Sequence, residues 1–583
     1  MASTTAIFTG LSGLAANAKS IEVIGNNVAN VNTTAYKSSR VLFSTAISRT
    51  MSEGTAPGEV NGGNNPFQVG HGVNIAGTQR SFSTGVTTTT GDGRDLAIDG
   101  AGFFAVKKGE QTFYTRAGAF RPNAVHELVT VSGERLQGYG VDAAFNVVSG
   151  TTAAVKVPVG ELKIAEATTA VRFSGNLNSE GSLPTKGAQI RLGGTTSAGL
   201  IAVASLAPPP PRRLNDTTPL VGIEDPQLPG SGTPLFTAGQ LLELKNAEKG
   251  GKIIPTATLT IGAATTVAEL NVFLTSALGL DSSAGANPDT LTPGVALDPT
   301  TGLLTIVGNT GTVNDLSLDT SDLRLLSSSG DYVRTPLAAT KVAVADGESI
   351  RTTFTAFDSL GSEVSVDVSM VLDGRDSSGT RWRYYAESAD DSDSATQLAT
   401  GTIRFDTDGQ PINPLPATIL IDREGTGAAS PLSISLDFAS GSNGLTSLAD
   451  DVSEFSATYR DGSPLGTLAS FSVGRTGLIT GAFTNGLTRT LGQVAIATFN
   501  NAEGLVDAGG SMFRAAPNSG TAVLTTPGGF GTGELISGAL ESSNVDLGEE
   551  FTKMILASTG YSASSRIIRT ADELLQQLLV LGR

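Results

Sequence analysis

The chain has 583 residues, a formal charge of −17 and no cysteine. With domains of about 100–200 residues, three or four are expected, enough for several hydrophobic cores. The acidic balance, with no basic run beyond pairs such as Lys107-Lys108 and Arg212-Arg213, argues against nucleic acid and anionic membrane as partners, and the lack of cysteine removes thiol catalysis, thiolate metal sites and disulfides.

The N-terminus, Met1 to Ala6, has neither a basic region nor an apolar signal core, and the chain has no apolar stretch of 18 residues. Neither a cleaved Sec-type signal nor membrane insertion is expected. From Ile7 a heptad seam runs through Ile7, Leu11, Leu14, Ala18, Ile21, Gly25 and Val28, which predicts an N-terminal helix. The middle is rich in glycine, 71 in the whole chain, and poor in aromatics, 5%. That composition suits β-rich domains joined by many turns.

Within the middle, residues 186–345 form a Gly/Pro/Thr-rich stretch that reads as a separate inserted domain. It contains Pro208–Pro211, an extended connector, and one helix opened by the capping box Thr266-Val267-Ala268-Glu269, with Leu270, Leu274 and Leu278 on one face. Beyond it, Val364, Val366, Val368 and Met370 alternate with Ser365, Asp367 and Ser369, the pattern of a half-buried strand. Trp382 and Tyr384 alternate with Arg381 and Arg383 in the same way. Turn signals recur at Asp358–Gly361, Asp373-Gly374, Asp408-Gly409 and Asp461-Gly462.

The C-terminus returns to helical spacing. Leu547, Phe551, Met554, Ser558, Tyr561, Ser565, Ile568, Asp572, Leu575 and Leu579 step by four and three, and Ile555, Ile567, Leu574 and Leu578 widen the stripe. Asp546 and Glu549 stand in an N-cap-like relation. A helix of about 34 residues would extend roughly 50 Å. Taken singly, each end reads as an amphipathic helix packed on its own domain. Two such segments at opposite termini predict helices that pair with each other or with neighbours. Small residues on the seams permit close approach.

Motifs for chemistry are weak. The histidines are His71 and His126, and no Gly-x-Ser-x-Gly elbow accompanies them. Asp406-Thr407-Asp408-Gly409 resembles part of a calcium loop, but no glutamate closes it, so a β-turn is expected. Gly528–Gly533 echoes a dinucleotide loop without its acidic partner, and a flexible loop before the C-terminal helix accounts for it. No enzymatic activity, metal or cofactor is expected.

Several runs carry a family resemblance. Val23–Lys37, with Asn26, Asn27, Asn30, Tyr36 and Lys37, resembles the N-terminal signature of the flagellar axial proteins, the rod and hook families. Asp95–Phe104, Tyr114–Phe120 and Leu136–Tyr139 are similar to the same family, as is Gly538–Leu547 with Asn544 and Asp546, followed by Met554-Ile555, Tyr561 and Arg569–Asp572. Ala35 departs from the family, which usually has glycine before the aromatic-Lys pair. Ser558, Thr559 and Ser564 replace larger polar residues.

A long β-rich middle between matching ends favours the hook over the shorter rod proteins; a distal-rod protein or a secreted β-rich adhesin is the alternative. The resemblance implies a tubular helical homopolymer, a mainly β multi-domain protein with long α-helical N- and C-terminal segments that pair in a polymer core. The core residues would be Ile7, Leu11, Leu14, Ile21, Val28, Leu547, Phe551, Met554, Tyr561, Ile568, Leu575 and Leu579. Implied partners are further copies of the chain, the rod, the hook cap, the hook–filament junction proteins and the flagellar type III export apparatus. Phe43 and Ile47 are similar to that apparatus's short Phe-x-x-x-apolar motif. The place is the extracellular flagellum, at the hook and basal body.

The expected division is 1–70 with 541–583 as terminal core and connector, and 71–150 with 453–540 as an inner β domain. Residues 151–185 with 346–452 form a middle β domain, and 186–345 the inserted outer domain.

Overall fold

The computed structural model describes residues 2–581 apart from 195–198, 204–212, 394, 413–415, 440–443 and 451. The proline run 208–211 lies outside the described residues. The chain is mainly β, with helices α1 (Ala2–Ala29), α2 (Val267–Ala277) and α3 (Leu547–Leu581). Contacts divide it into two compact units, Met1–Lys163 with Thr467–Arg583, and Ile164–Gly466.

In the first unit, α1 runs into a ribbon of four strands: β1 (Ser39–Thr45), β2 (Ser48–Ser52), β3 (Phe67–Gly70) and β4 (Val73–Arg80). β1 pairs antiparallel with β4, from Ser39 opposite Arg80 to Thr45 opposite Val73, and β2 pairs with β3. The β domain that follows draws on both halves of the chain. Its main sheet runs through 478–483, 488–494, 135–141, 103–108, 111–115 and 512–514 in spatial order. The core here is aromatic. Phe103 meets Phe82 and Phe513 edge-on at 5.6 and 6.0 Å, and Tyr114 meets Phe499 at 4.8 Å, separations at which edge-to-face rings attract. Two short pairings, Leu96–Asp99 with Glu534–Ser537 and Thr87–Thr89 with Ala539–Glu541, bring the C-terminal segment beside the N-terminal one.

Among its described residues the second unit has two hydrophobic cores. One lies between the antiparallel sheet of strands 349–357, 363–376, 379–388 and 397–405 and a sheet of 417–421, 432–437, 170–176 and 454–460. Val364, Val366, Val368 and Met370 point into it with Trp382 and Phe173, and Trp382 Nε1 donates to Ser447 Oγ at 3.1 Å. The other core is built wholly from residues 188–345. It includes α2, whose capping box forms as expected: Glu269 N–H donates to Thr266 Oγ1 and Thr266 N–H to Glu269 Oε2. Leu270, Leu274 and Leu278 are buried. The Asp346 carboxylate accepts from the backbone N–H of Thr185 at 2.7 Å and of Lys186 at 3.0 Å, joining the two ends of this stretch.

Two local expectations are corrected. In the strand 363–376 the apolar face is buried as expected, but the polar face is partly covered, with Ser365 and Asp367 half-buried and Ser369 buried. Ser369 is buried beside Arg351, and Asp367 pairs with Lys252, because the segment around Lys249–Ile254 lies over the face that alternation alone left to solvent. Asp373-Gly374 is a bulge opposite Arg381, and the chain turns later, at Asp376–Gly379. A bulge and a hairpin turn both favour glycine, so the dipeptide alone does not separate them. Asp406 does make a turn: its carboxylate accepts the N–H groups of Asp408 and Gln410.

Candidate functional site

The terminal helices lie antiparallel, with Asn27 beside Glu550, Asn17 beside Gly560 and Gly13 beside Ser564. Their contact line is made mostly of small residues. On α3, Glu550, Ala557, Ser564 and Ala571 are buried at steps of seven; on α1, Gly10, Ala16, Ile24 and Asn27 are buried. A Cβ on Gly10 would sit 2.8 Å from Ile568 Cγ1 and 3.2 Å from the Ser564 carbonyl oxygen. Only glycine lets the backbones approach so closely.

This line differs from the heptad seams read in the sequence. Ile7, Leu14, Ile21, Val28, Met554, Ile568 and Leu575 are partly buried along its flanks. Leu11, Leu547, Phe551, Tyr561 and Leu579 face outward, with Leu579 73% exposed. Phe8, Ile555, Leu556, Ile567 and Leu574 join them. The pair therefore buries mainly small residues along its contact line and presents many of its large apolar ones outside, a patch of the kind that marks a protein contact. On the ribbon, Phe43 is half-exposed on β1 and Ile47 is exposed after it.

Between the helices and the β domain run two chain segments, 30–38 and 541–546, and the signature residues fasten them. Asn27 Nδ2 donates to the Ser39 carbonyl (2.8 Å) and to Glu550 Oε2 (3.0 Å), while its Oδ1 accepts from Ser39 N–H (3.0 Å) and the Tyr36 hydroxyl (3.2 Å). Asn26 reaches the same hydroxyl, and Asn30 folds back on Asn26. Asn544 Oδ1 accepts from Ser38 N–H (2.8 Å), and its Nδ2 donates to the Ser81 carbonyl (3.0 Å). Asp546 caps α3 by accepting the N–H groups of Gly548 and Glu549.

At the centre is a buried charge cluster. Lys37 Nζ lies 2.5 Å from Glu541 Oε1 and donates to the Ser83 carbonyl at 2.7 Å. Gly85 N–H donates to Glu541 Oε1 at 2.8 Å. Arg116 reaches Glu541 Oε2 at 3.3 Å and the Gly100 carbonyl at 2.7 Å. The Lys37 and Glu541 side chains are fully buried. Burial pulls the Lys37 ammonium below the usual lysine range, against the opposing attraction of Glu541. Burial likewise lowers Arg116, again opposed by Glu541. Lys37 was legible as part of a signature; the roles of Arg116 and Glu541 were not. The signal available was a charge embedded in an otherwise small or apolar run, since such charges stay buried only when paired.

Ala35, in the position where the resembled family has glycine, is fully buried with φ of 57°, and its N–H donates to the Glu541 carbonyl at 2.8 Å. Alanine tolerates this left-handed conformation at a cost; a β-branched residue does not. Ala35→Val is expected to lower stability by about 3 kcal/mol or more, and Ala35→Gly to change it by less than about 1 kcal/mol, in denaturant unfolding.

Among the described residues no three His, Asp or Glu side chains cluster to hold a metal ion, and no helix is long and apolar enough to cross a membrane. His126 pairs with Glu161 through Nε2 at 3.2 Å.

Four family profiles match the chain in order. They are "Flagella basal body rod protein" at 7–37, "Flagellar hook protein FlgE/F/G D1 domain" at 97–177, "Flagellar basal body protein FlaE D2 domain" at 327–463, and "Flagellar basal body rod FlgEFG protein C-terminal" at 536–581. The first and last fall on the helices and connector just described. The chain is 29% identical to the flagellar hook protein FlgE of Treponema pallidum (strain Nichols), over 99% of each chain. It is 28% identical to that of Caulobacter vibrioides, over 100% of each. Among solved structures it is similar to the Helicobacter pylori flagellar hook protein FlgE2, with 17% identity over 78% of this chain and 100% of that one and a TM-score of 0.36.

Proposed function

Since the chain belongs to the flagellar hook protein family, we propose that it is the structural subunit of the hook, polymerising through its terminal helices into a flexible curved tube that carries torque from rod to filament. The observation that carries this is the order of the family segments along a chain alike end to end to hook proteins, with its outward apolar stripes on the two segments that match at the termini. Burial of those stripes between copies supplies cohesion at about 25 cal/mol per Å². The acidic, glycine-rich β domains supply outer contacts weak enough to break and re-form as the tube bends. Rod and hook-family segments share their terminal profiles, so a distal-rod role is the second reading; full-length likeness to proteins named as hook proteins favours the hook.

In this reading the chain is not an enzyme, is exported by the flagellar type III apparatus, with Phe43 and Ile47 in its recognition, and works outside the cell. There it meets the rod, the hook cap and the hook–filament junction. Purified chain concentrated in near-physiological salt is expected to sediment as short curved tubes under the electron microscope. Straight tubes would favour the rod, and a chain that stays monomeric at every concentration contradicts both.

The division into terminal, inner, middle and outer parts belongs to the same proposal. Residues 188–345 carry a core of their own, and Asp346 bridges the ends of the stretch. Excising 186–345 should leave the Trp382 core folded. Differential scanning calorimetry is expected to show the remainder melting cooperatively; a broad transition without latent heat would mean that the two cores are interdependent.

A further inference from the structure

Two chain crossings in the second unit are closed in the same way. The stretch 170–460 is entered after Thr169 and left at Asp461; within it, 186–345 is entered after Thr185 and left at Asp346. At the first crossing, Asp461 Oδ1 accepts the N–H groups of Thr169 (2.8 Å) and Ala170 (3.0 Å), and Oδ2 accepts the Thr169 hydroxyl. Asp461 N–H returns to the Ala170 carbonyl (3.3 Å). At the second, Asp346 Oδ1 accepts the N–H groups of Thr185 (2.7 Å) and Lys186 (3.0 Å), and Oδ2 accepts the Thr185 hydroxyl. Asp346 N–H returns to the Lys186 carbonyl (3.3 Å). A buried glycine follows each aspartate and presses on the residue before the threonine. A Cβ on Gly462 would lie 2.1 Å from Thr168 Oγ1, and one on Gly347, where φ is 107°, 2.7 Å from Pro184 Cβ. The carboxylate thus holds the entering chain, and the glycine lets the leaving chain come close. Burial pushes both carboxylates up, but the hydrogen bonds outweigh it and hold each below the usual carboxylate range.

We propose that these are two copies of one clasp, set at the necks of nested domains, which keeps the entering and leaving strands together while the body beyond each neck tilts. The inference rests on the hook reading for the load that tilts the domains, and deepens it. A domain joined through two chain crossings moves as a body only while both crossings stay together. Once they part, one strand carries the strain alone. None of the four clasp residues Thr169, Asp461, Thr185 and Asp346 belongs to either hydrophobic core, so a clasp can open without unfolding what it holds.

Hydrogen exchange on the full-length chain reads the clasps directly. In Asp346→Ala the amides of Thr185 and Lys186 are expected to exchange at least about tenfold faster than in the wild type, while strand 189–193 keeps its protection. Asp461→Ala should act likewise at Thr169 and Ala170 and leave the Asp346 clasp unchanged. Trypsin reports on the polymer, because the Lys186–Gly187 bond adjoins the clasp. Tubes of Asp346→Ala are expected to form at the wild-type concentration, yet to be cut there at least about tenfold faster. Unchanged exchange at Thr185 and Lys186 overturns the clasp, and so does protection lost throughout 188–345, which would make Asp346 part of the core. Tubes cut no faster than wild type overturn its role in the polymer. A wild-type chain that never polymerises overturns the hook reading, and the exchange result still decides the clasp.

Discussion

Phe551→Asp is expected to abolish polymerisation while leaving the melting of the monomer unchanged. Phe551 is half-exposed on the outer face of α3, away from the small-residue line that meets α1. In the monomer a carboxylate there is solvated. Near the N-terminal end of the helix it also suits the dipole, so its effect should stay within about 0.5 kcal/mol. In the polymer the same position loses the apolar burial of a phenylalanine, about 1.5–3 kcal/mol, and acquires an unpaired charge that costs several kcal/mol more. Together these raise the critical concentration by at least about a thousandfold. Sedimentation and calorimetry of the same preparation separate the effects. A variant that melts much lower would show that Phe551 packs inside its own subunit.

Glu541→Ala should do the reverse and damage the monomer. It leaves Lys37 and Arg116 buried with no carboxylate between them, and removes the acceptor for Gly85 N–H. Breaking a buried pair from one side costs about 3–5 kcal/mol. For a unit of this size that corresponds to roughly 6–20 °C in the melting temperature of the transition containing the terminal helices. Glu22→Ala, removing an exposed pair with Lys19, is the control and should shift it by less than about 2 °C. Equal shifts for both would mean that the Glu541 cluster contributes nothing beyond an exposed pair.

The two variants mark the boundary of what the amino-acid pattern made legible. Helices at both ends, the α2 capping box and the Val364–Met370 strand follow from local spacing, which depends on neighbours in sequence, and the signature around Asn27 and Lys37 from its resemblance to the flagellar axial proteins. The face by which α1 meets α3 did not, because a heptad scan weighs large apolar residues. The contact uses Gly10, Gly13, Ala557, Gly560 and Ser564, chosen for how little they protrude. Nor did the ion cluster, whose members come from residues 37, 116 and 541 and meet only through strand pairing between distant parts of the chain. Glycine content suggested motion in Gly528–Gly533, while the bond to Ala101 that fixes the loop comes from a bend between two strands more than 400 residues earlier.

The central claim is that the outward stripes of the terminal helices are the contact between copies. A cryo-electron microscopy map of the polymer at side-chain resolution tests it most directly. The account predicts an innermost layer of paired helices, two from each subunit, with Phe551, Ile555 and Leu579 buried against neighbouring subunits and Gly10 and Ser564 still facing each other within one. A map in which those side chains line open solvent, while the β domains alone join the copies, would contradict it.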